Sequence, residues 1–261
     1  LGPLQSLLER LGDPQNGTPS ILIAGTNGKG SVAAMTAAIL TAGGVKTGLY
    51  TSPDLIDVRE RIRIDGEMIP RVEMAACAKR VKEAITEEMS YFEFLTAMAF
   101  CHFQQQRVDI AVLETGMGGR LDATNVVTPL LSVITNISLE HREYLGRRLR
   151  EIAGEKAGII KANGICLTAA VQAPVLEVLE TICRERGAKL YRVGRAIRVR
   201  IHRDGTFSYR GPGLRLERLA CPLPGRHQFV NAALALGAVE LVGRAGFTVE
   251  KETITAGLAK T

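Results

Sequence analysis

Residues 20–31 read Ser-Ile-Leu-Ile-Ala-Gly-Thr-Asn-Gly-Lys-Gly-Ser. The apolar run Ser20–Gly25 predicts a short buried strand. Lys29–Ala42 follows with apolar residues at Val32, Met35 and Ile39, the spacing of a helix. Between them lies Gly25-Thr26-Asn27-Gly28-Lys29-Gly30-Ser31. A strand, a glycine loop and a helix start are what a phosphate group needs. Glycines let backbone N–H groups converge on the anion, and the helix end adds its positive dipole. Lys29 adds a full charge for the β- and γ-phosphates. The general pattern is GxxxxGK[ST]. Gly28-Lys29 fits it, but Gly30 stands at the Ser/Thr position, Ser31 follows one place later, and Ile23 replaces the first glycine. The loop is a variant of the phosphate-binding type.

Strands and helices alternate outward from this loop. Val45–Thr51 reads as a strand, and Asp65-Gly66 within Arg59–Ile69 predicts a tight hairpin. Helices follow at about 71–88 and 92–106. Asp109–Glu114 and Leu130–Asn136 are apolar, β-branched runs suited to a parallel sheet. Helix is predicted for 148–161, 173–186, 228–245 and 249–259, and strand for 164–168 and 188–193. Ile197–Arg203 alternates apolar and basic residues, and Asp204-Gly205 turns it into Thr206–Arg210. The fold class is therefore α/β, P-loop NTPase-like. A mostly parallel sheet carries helices on both faces, with a small antiparallel β addition near 195–220.

Composition supports this class. The chain has 261 residues, 46% hydrophobic and 23% charged, with 27 glycines and few aromatics. These values fit a globular core and exclude disordered, collagen-like and coiled-coil classes. No apolar run is long enough for a transmembrane helix, and Leu1–Gln15, with Glu9, Arg10 and Asp13, does not read as a signal peptide. Cys77, Cys101, Cys166, Cys183 and Cys221 are odd in number and form no CxxC pair, which predicts free thiols in a reducing cytoplasm. Net charge is +6, yet residues 184–226 hold 12 Lys and Arg against 3 Asp and Glu. Such a stretch attracts polyanions or forms a solvated face. No aromatic-rich RNA-binding pattern or zinc motif accompanies it, so nucleic acid is not an expected partner.

Glu114 ends a buried strand and precedes Thr115-Gly116-Met117-Gly118-Gly119-Arg120. Ligand sites in parallel sheets lie at the carboxyl ends of strands. A carboxylate there, facing a phosphate loop, suits Mg²⁺, which prefers oxygen ligands and substrate phosphates. Ser138-Leu139-Glu140-His141 follows the next strand end, and the residues alone leave His141 between a structural and a metal-binding role. Lys156, in an apolar helical stretch, reads on its own as a surface or snorkelling lysine.

Seven segments occur in order: GTNGKGS (25–31), TSPDLIDVRERIRIDG (51–66), FEFLTAMAF (92–100), LETGMGGRLDATN (113–125), TNISLEHREYLG (135–146), EKAGIIK (155–161) and PGRHQFVNA (224–232). This pattern resembles the folylpolyglutamate synthase/dihydrofolate synthase family of the Mur ligase superfamily. The resemblance implies a P-loop ATPase domain followed by a smaller Rossmann-like domain. On that likeness residues 1–261 are the ATP-binding domain, and the C-terminal domain is absent from this chain. The implied reaction is ATP-dependent amide formation. The carboxylate of a folate or of dihydropteroate takes the γ-phosphate, and L-glutamate displaces phosphate from the acyl phosphate.

The resemblance also implies roles. Gly25, Thr26, Asn27, Gly28, Lys29, Gly30 and Ser31 bind the phosphates of ATP. Ser52 and Glu114 hold one Mg²⁺. His141, Glu114 and a carbamylated Lys156 hold a second. Asn231 contacts the adenine, and Asp57–Arg63 belongs to a mobile loop near the pterin. Lys29, Glu114, His141 and Lys156 form the catalytic set. The chain departs from the family at Asp54, where His is usual, and at Glu140, which keeps the charge of the usual Asp. A monomer that binds neither nucleic acid nor membrane is expected. Two other readings are another Mur-type ligase, such as a peptidoglycan amino-acid ligase, and a nucleotide-binding module without ligase activity. GTNGKGS and the 51–66 segment argue against the peptidoglycan ligase.

Overall fold

The apolar runs read above become strands at the centre of the molecule. The computed structural model describes residues 1–221 and 223–261. Helix α1 (Gly2–Arg10) precedes β1 (Ser20–Ala24), every residue of which is buried. The glycine loop leads into α2 (Lys29–Ala42), then β2 (Thr47–Tyr50), β3 (Ile62–Ile64) and β4 (Glu67–Met68). Asp65 and Gly66 take φ of 52° and 89°, as the expected two-residue hairpin turn demands. Next come α3 (Arg71–Ala84), α4 (Tyr91–Gln105) and β5 (Ile110–Glu114). Ser90 starts α4 through a capping box with Glu93, which satisfies two orphan N–H groups.

The chain continues through β6 (Leu131–Ile134), α5 (Arg142–Leu145), α6 (Leu149–Ala157), β7 (Ile165–Thr168), α7 (Ala173–Glu185) and β8 (Lys189–Arg192). A second sheet holds β9 (Arg198–Ile201), β10 (Phe207–Arg210) and β11 (Arg215–Leu219). Helices α8 (Gln228–Gly243) and α9 (Lys251–Ala259) close the described chain.

The eight-stranded sheet runs β4-β3-β2-β5-β1-β6-β7-β8. It is parallel from β2 to β8, with the antiparallel β3–β4 hairpin at one edge. One face packs on α1, α3, α4, α6 and α7 through Leu4, Val81, Phe103, Ile152 and Leu179. The other packs on α2, α8 and α9 through Met35, Leu236 and Ile254. Helix α8 is buried without a break from Asn231 to Val239, because the three-stranded sheet covers its far side with Phe207, Tyr209 and Leu216. Glu240 ties that sheet down, accepting from Tyr209 Oη at 2.6 Å and from the Leu214 N–H at 3.0 Å.

The α/β class and the antiparallel addition are as expected. Helices α1 and α5 and strand β11 lie beyond the elements read from pattern. All five cysteines are free thiols. Among the described residues no helix is long and apolar enough to cross a membrane.

Candidate active site

The central strands β5, β1 and β6 deliver their carboxyl ends side by side, with Ile23 opposite Glu114 and Ala24 opposite Ile134. The loop 25–31 leaves β1 at this edge. Gly28 has φ of 81°, and a Cβ there would lie 2.6 Å from Asn231 Oδ1, so only glycine fits between the loop and α8. The N-terminus of α2 points its free N–H groups into the same space. Lys29 is half-buried, and its Nζ donates to the Thr26 carbonyl at 3.4 Å.

The segment after β6 grips the first half of the loop. The Thr26 N–H donates to the Asn136 carbonyl at 2.9 Å, and the Asn27 N–H donates to Asn136 Oδ1 at 2.9 Å. Thr135 Oγ1 donates to the Asn27 carbonyl at 2.7 Å, and the Ser138 N–H donates to Thr26 Oγ1 at 3.1 Å. The N–H groups of Thr26 and Asn27 are therefore engaged within the protein. Gly28, Lys29 and Ser31 are left to face an anion.

Glu114 is 5% exposed. Burial raises its carboxyl above the usual range, while the Ser52 N–H and the Lys29 charge oppose that rise. Its Oε2 accepts from the Ser52 N–H at 3.2 Å, and a Cβ on Gly30 would sit 3.4 Å from the same oxygen. The carboxylate, Ser52 and the phosphate loop thus meet at one point.

Lys156 corrects an expectation. Instead of lying at the surface it is 1% exposed. Its Nζ donates to the Gly25 carbonyl at 2.9 Å and pairs with Glu140 Oε1 at 2.6 Å. Burial lowers its pKa, and Glu140 opposes that drop. Glu140 is more than a retained charge: it partners a buried ammonium, which an unpaired site would not hold. His141 is exposed at the start of α5 with φ of 41°, and no hydrogen bond or ion pair joins it to Glu114 or Lys156.

Asn231 lies against Gly28 and is 7% exposed. Its Nδ2 donates to Gln228 Oε1 at 2.8 Å, and Gln228 Nε2 reaches Ser31 Oγ at 3.4 Å. The start of α8 thereby braces the helix end of the loop at Gly28 and Ser31.

A second loop, 52–61, stands at the mouth. The Glu60 carboxylate accepts from the N–H groups of Leu55, Ile56 and Asp57, which holds the loop while Leu55 and Ile56 project at 89% and 94% exposure. Asp54 pairs with Arg61 Nε at 2.5 Å, and the Arg61 guanidinium lies over the Tyr91 ring. At Asp54, then, the departure from the family's His supplies an internal ion pair.

Thr135, Asn136, Gln228 and Asp122 were not singled out from sequence. Asp122 is 6% exposed and accepts from the N–H groups of Met117 and Thr124, which shapes the loop after β5. Its position two residues after Gly119-Arg120 was the available signal.

No group of three or more His, Cys, Asp and Glu that could hold a metal occurs among the described residues. The residues present fit one hard cation, with Glu114 and the Ser52 hydroxyl as oxygen donors and phosphates and water completing the shell. A second ion on Glu114, His141 and Lys156 requires Lys156 to leave Glu140 and His141 to turn inward.

The Mur ligase middle-domain family model matches residues 23–239. The chain belongs to that family. It is 36% identical, over 100% of its length and 64% of the relative's, to the dihydrofolate synthase/folylpolyglutamate synthase of Bacillus subtilis. It is 40% identical to the Mycobacterium tuberculosis dihydrofolate synthase/folylpolyglutamate synthase, over 98% of this chain and 58% of that one. The solved FPGS–AMPPCP complex superposes with a TM-score of 0.95 at 35% identity, covering 100% of this chain and 68% of that one. The chain thus spans less than two thirds of the length of these two curated relatives.

Proposed function

We propose that this Mur ligase domain is the ATP-binding part of an amide ligase. It adds L-glutamate to a folate-type carboxylate, either a reduced folate or dihydropteroate, through an acyl phosphate. The observation that carries the reading is the buried Glu114 carboxylate, one hydrogen bond from the Ser52 N–H and in contact with Gly30 of the phosphate loop. The names of its relatives point to the same substrates. In this reading residues 1–261 form one domain, which works with a further Rossmann-like domain.

Phosphoryl transfer is mostly positioning and charge neutralisation. The N–H groups of Gly28, Lys29 and Ser31, with the Lys29 ammonium, hold the phosphates and stabilise charge that develops during transfer. Asn231 and Gln228 keep α8 against the loop at the side where the nucleoside enters. Leu55 and Ile56 offer an apolar edge for a flat aromatic substrate, and Asp54 and Glu60 hold that edge in place. Glu114 and the Ser52 hydroxyl would hold Mg²⁺, which would supply neutralisation of the phosphate charge. A second ion on Glu114, His141 and a carbamylated Lys156 belongs to the same proposal, with the rearrangement described above.

The test is Lys29→Ala. MgATP binding in a calorimetric titration should be lost while the far-ultraviolet circular dichroism spectrum is kept. Wild-type ATP affinity in the variant rules the reading out. In the full-length ligase, phosphate release should depend on L-glutamate and on a folate or dihydropteroate.

A further inference from the structure

We infer that Thr135 is a positioning residue that aims the Gly28 N–H at the phosphates. The inference rests on the ATP-binding reading above. A trans peptide holds its C=O and N–H on opposite sides of the C–N bond. The Asn27–Gly28 peptide is trans, and the Thr135 hydroxyl pulls its carbonyl toward the end of β6. The Gly28 N–H must then point the other way, into the open side of the loop, where it donates to no protein acceptor among the described residues.

The surroundings leave this peptide one orientation. Thr135 is 1% exposed, so its hydroxyl has no water to turn to. Gly25 makes room for it: a Cβ at residue 25 would overlap Thr135 Oγ1. The preceding peptide is pinned as well, because Asn136 Oδ1 accepts the Asn27 N–H. Two consecutive residues after β6 therefore fix both polar groups of Asn27. Without the Thr135 hydroxyl the Asn27 carbonyl loses its partner. The peptide is then free to rotate and carry the Gly28 N–H away from the anion.

Thr135→Val keeps the branched shape and removes only the donor. MgATP titration of the chain by calorimetry should give a Kd about tenfold higher for Thr135→Val, the worth of one lost charge-assisted hydrogen bond. Thr135→Ser, which keeps the hydroxyl, should stay within about twofold of wild type. In ¹⁵N–¹H spectra at saturating ATP the Gly28 amide should show the downfield shift of a new hydrogen bond in wild type and Thr135→Ser, and a much smaller shift in Thr135→Val. If Thr135→Val does not fold, Thr135→Ala removes the same donor and takes its place. Thr135→Val binding ATP as wild type does would overturn the assignment alone. Thr135→Ser as weak as Thr135→Val would do so too, since packing and not the hydroxyl would then matter. A wild-type chain that binds no ATP overturns the ATP-binding reading and this assignment with it.

Discussion

Gly28 and Gly44 provide a matched pair. Their φ angles are 81° and 79°, yet a Cβ on Gly28 meets Asn231 and a Cβ on Gly44 meets nothing within 4 Å. Alanine at either site adopts a left-handed backbone at about 1–2 kcal/mol. Part of that is offset by about 0.4–1 kcal/mol from a stiffer unfolded chain. Gly44→Ala should therefore destabilise by roughly 1 kcal/mol. Gly28→Ala carries the same backbone term and a collision. Its Cβ would stand 2.6 Å from Asn231 Oδ1 and 2.8 Å from Nδ2. Asn231 is buried and bonded to Gln228, so moving it forfeits a hydrogen bond and disturbs the packing of α8. Overpacking of this kind adds about 1–3 kcal/mol. Urea unfolding without nucleotide, followed by circular dichroism, measures both variants from their midpoints at constant m. Adding Asn231→Ala to Gly28→Ala should recover part of the loss, giving a double variant more stable than the sum of the singles. Equal midpoints for Gly28→Ala and Gly44→Ala would refute the packing of Asn231 on the loop, as would strict additivity in the double variant.

Two further outcomes follow from other parts of the molecule. Glu60→Ala removes the acceptor for three loop N–H groups, so amide exchange at residues 55–57 should speed up. On the function proposed above, KM for the folate-type substrate should rise with ATP affinity unchanged, and an equal rise in KM for ATP would speak against the assignment of this loop. Burial lowers the pKa of His102, with Glu73 opposing, so the native state resists a proton that the unfolded chain accepts. Unfolding free energy should therefore fall as pH drops below about 6.5, the unfolded value. His102→Gln should flatten that slope, and identical slopes between pH 7 and 5 would exclude the effect.

What could be read from sequence was local. The bounds of α2 coincide with the expected Lys29–Ala42, because a glycine loop starts it and Gly43-Gly44 end it. The Asp65-Gly66 turn was legible because two adjacent positive φ angles select those residues. Strand β11 was not legible as a strand. Arg218 takes φ of 53° and the register shifts opposite it, so Leu216 and Leu219 share a face three residues apart, and period-two alternation is lost. In the site, Lys29 and Glu114 stood out through their neighbours in sequence. The burial of Lys156 did not, because its partners Gly25 and Glu140 come from the segments after β1 and β6. Thr135 looked like one more β-branched residue at the end of an apolar run. Its use depends on a carbonyl 108 residues away, which no periodicity reports.

The distance along the chain between the parts of this site has a bearing on its birth. Ser31 waits for Gln228, 197 residues later, and Gly25 waits for Lys156, 131 residues later. At ribosomal speeds of ~5–20 residues per second the nascent phosphate loop stays unbraced on the α8 side for ~10–40 s. Parallel strands closed over such separations are slow to pair. On the ATP-binding reading proposed above, the nucleotide recognises only a chain whose helices α6 and α8 have docked. Nucleotide binding then acts as a late latch, adding about 2.7 kcal/mol to the finished fold at a hundredfold excess over Kd.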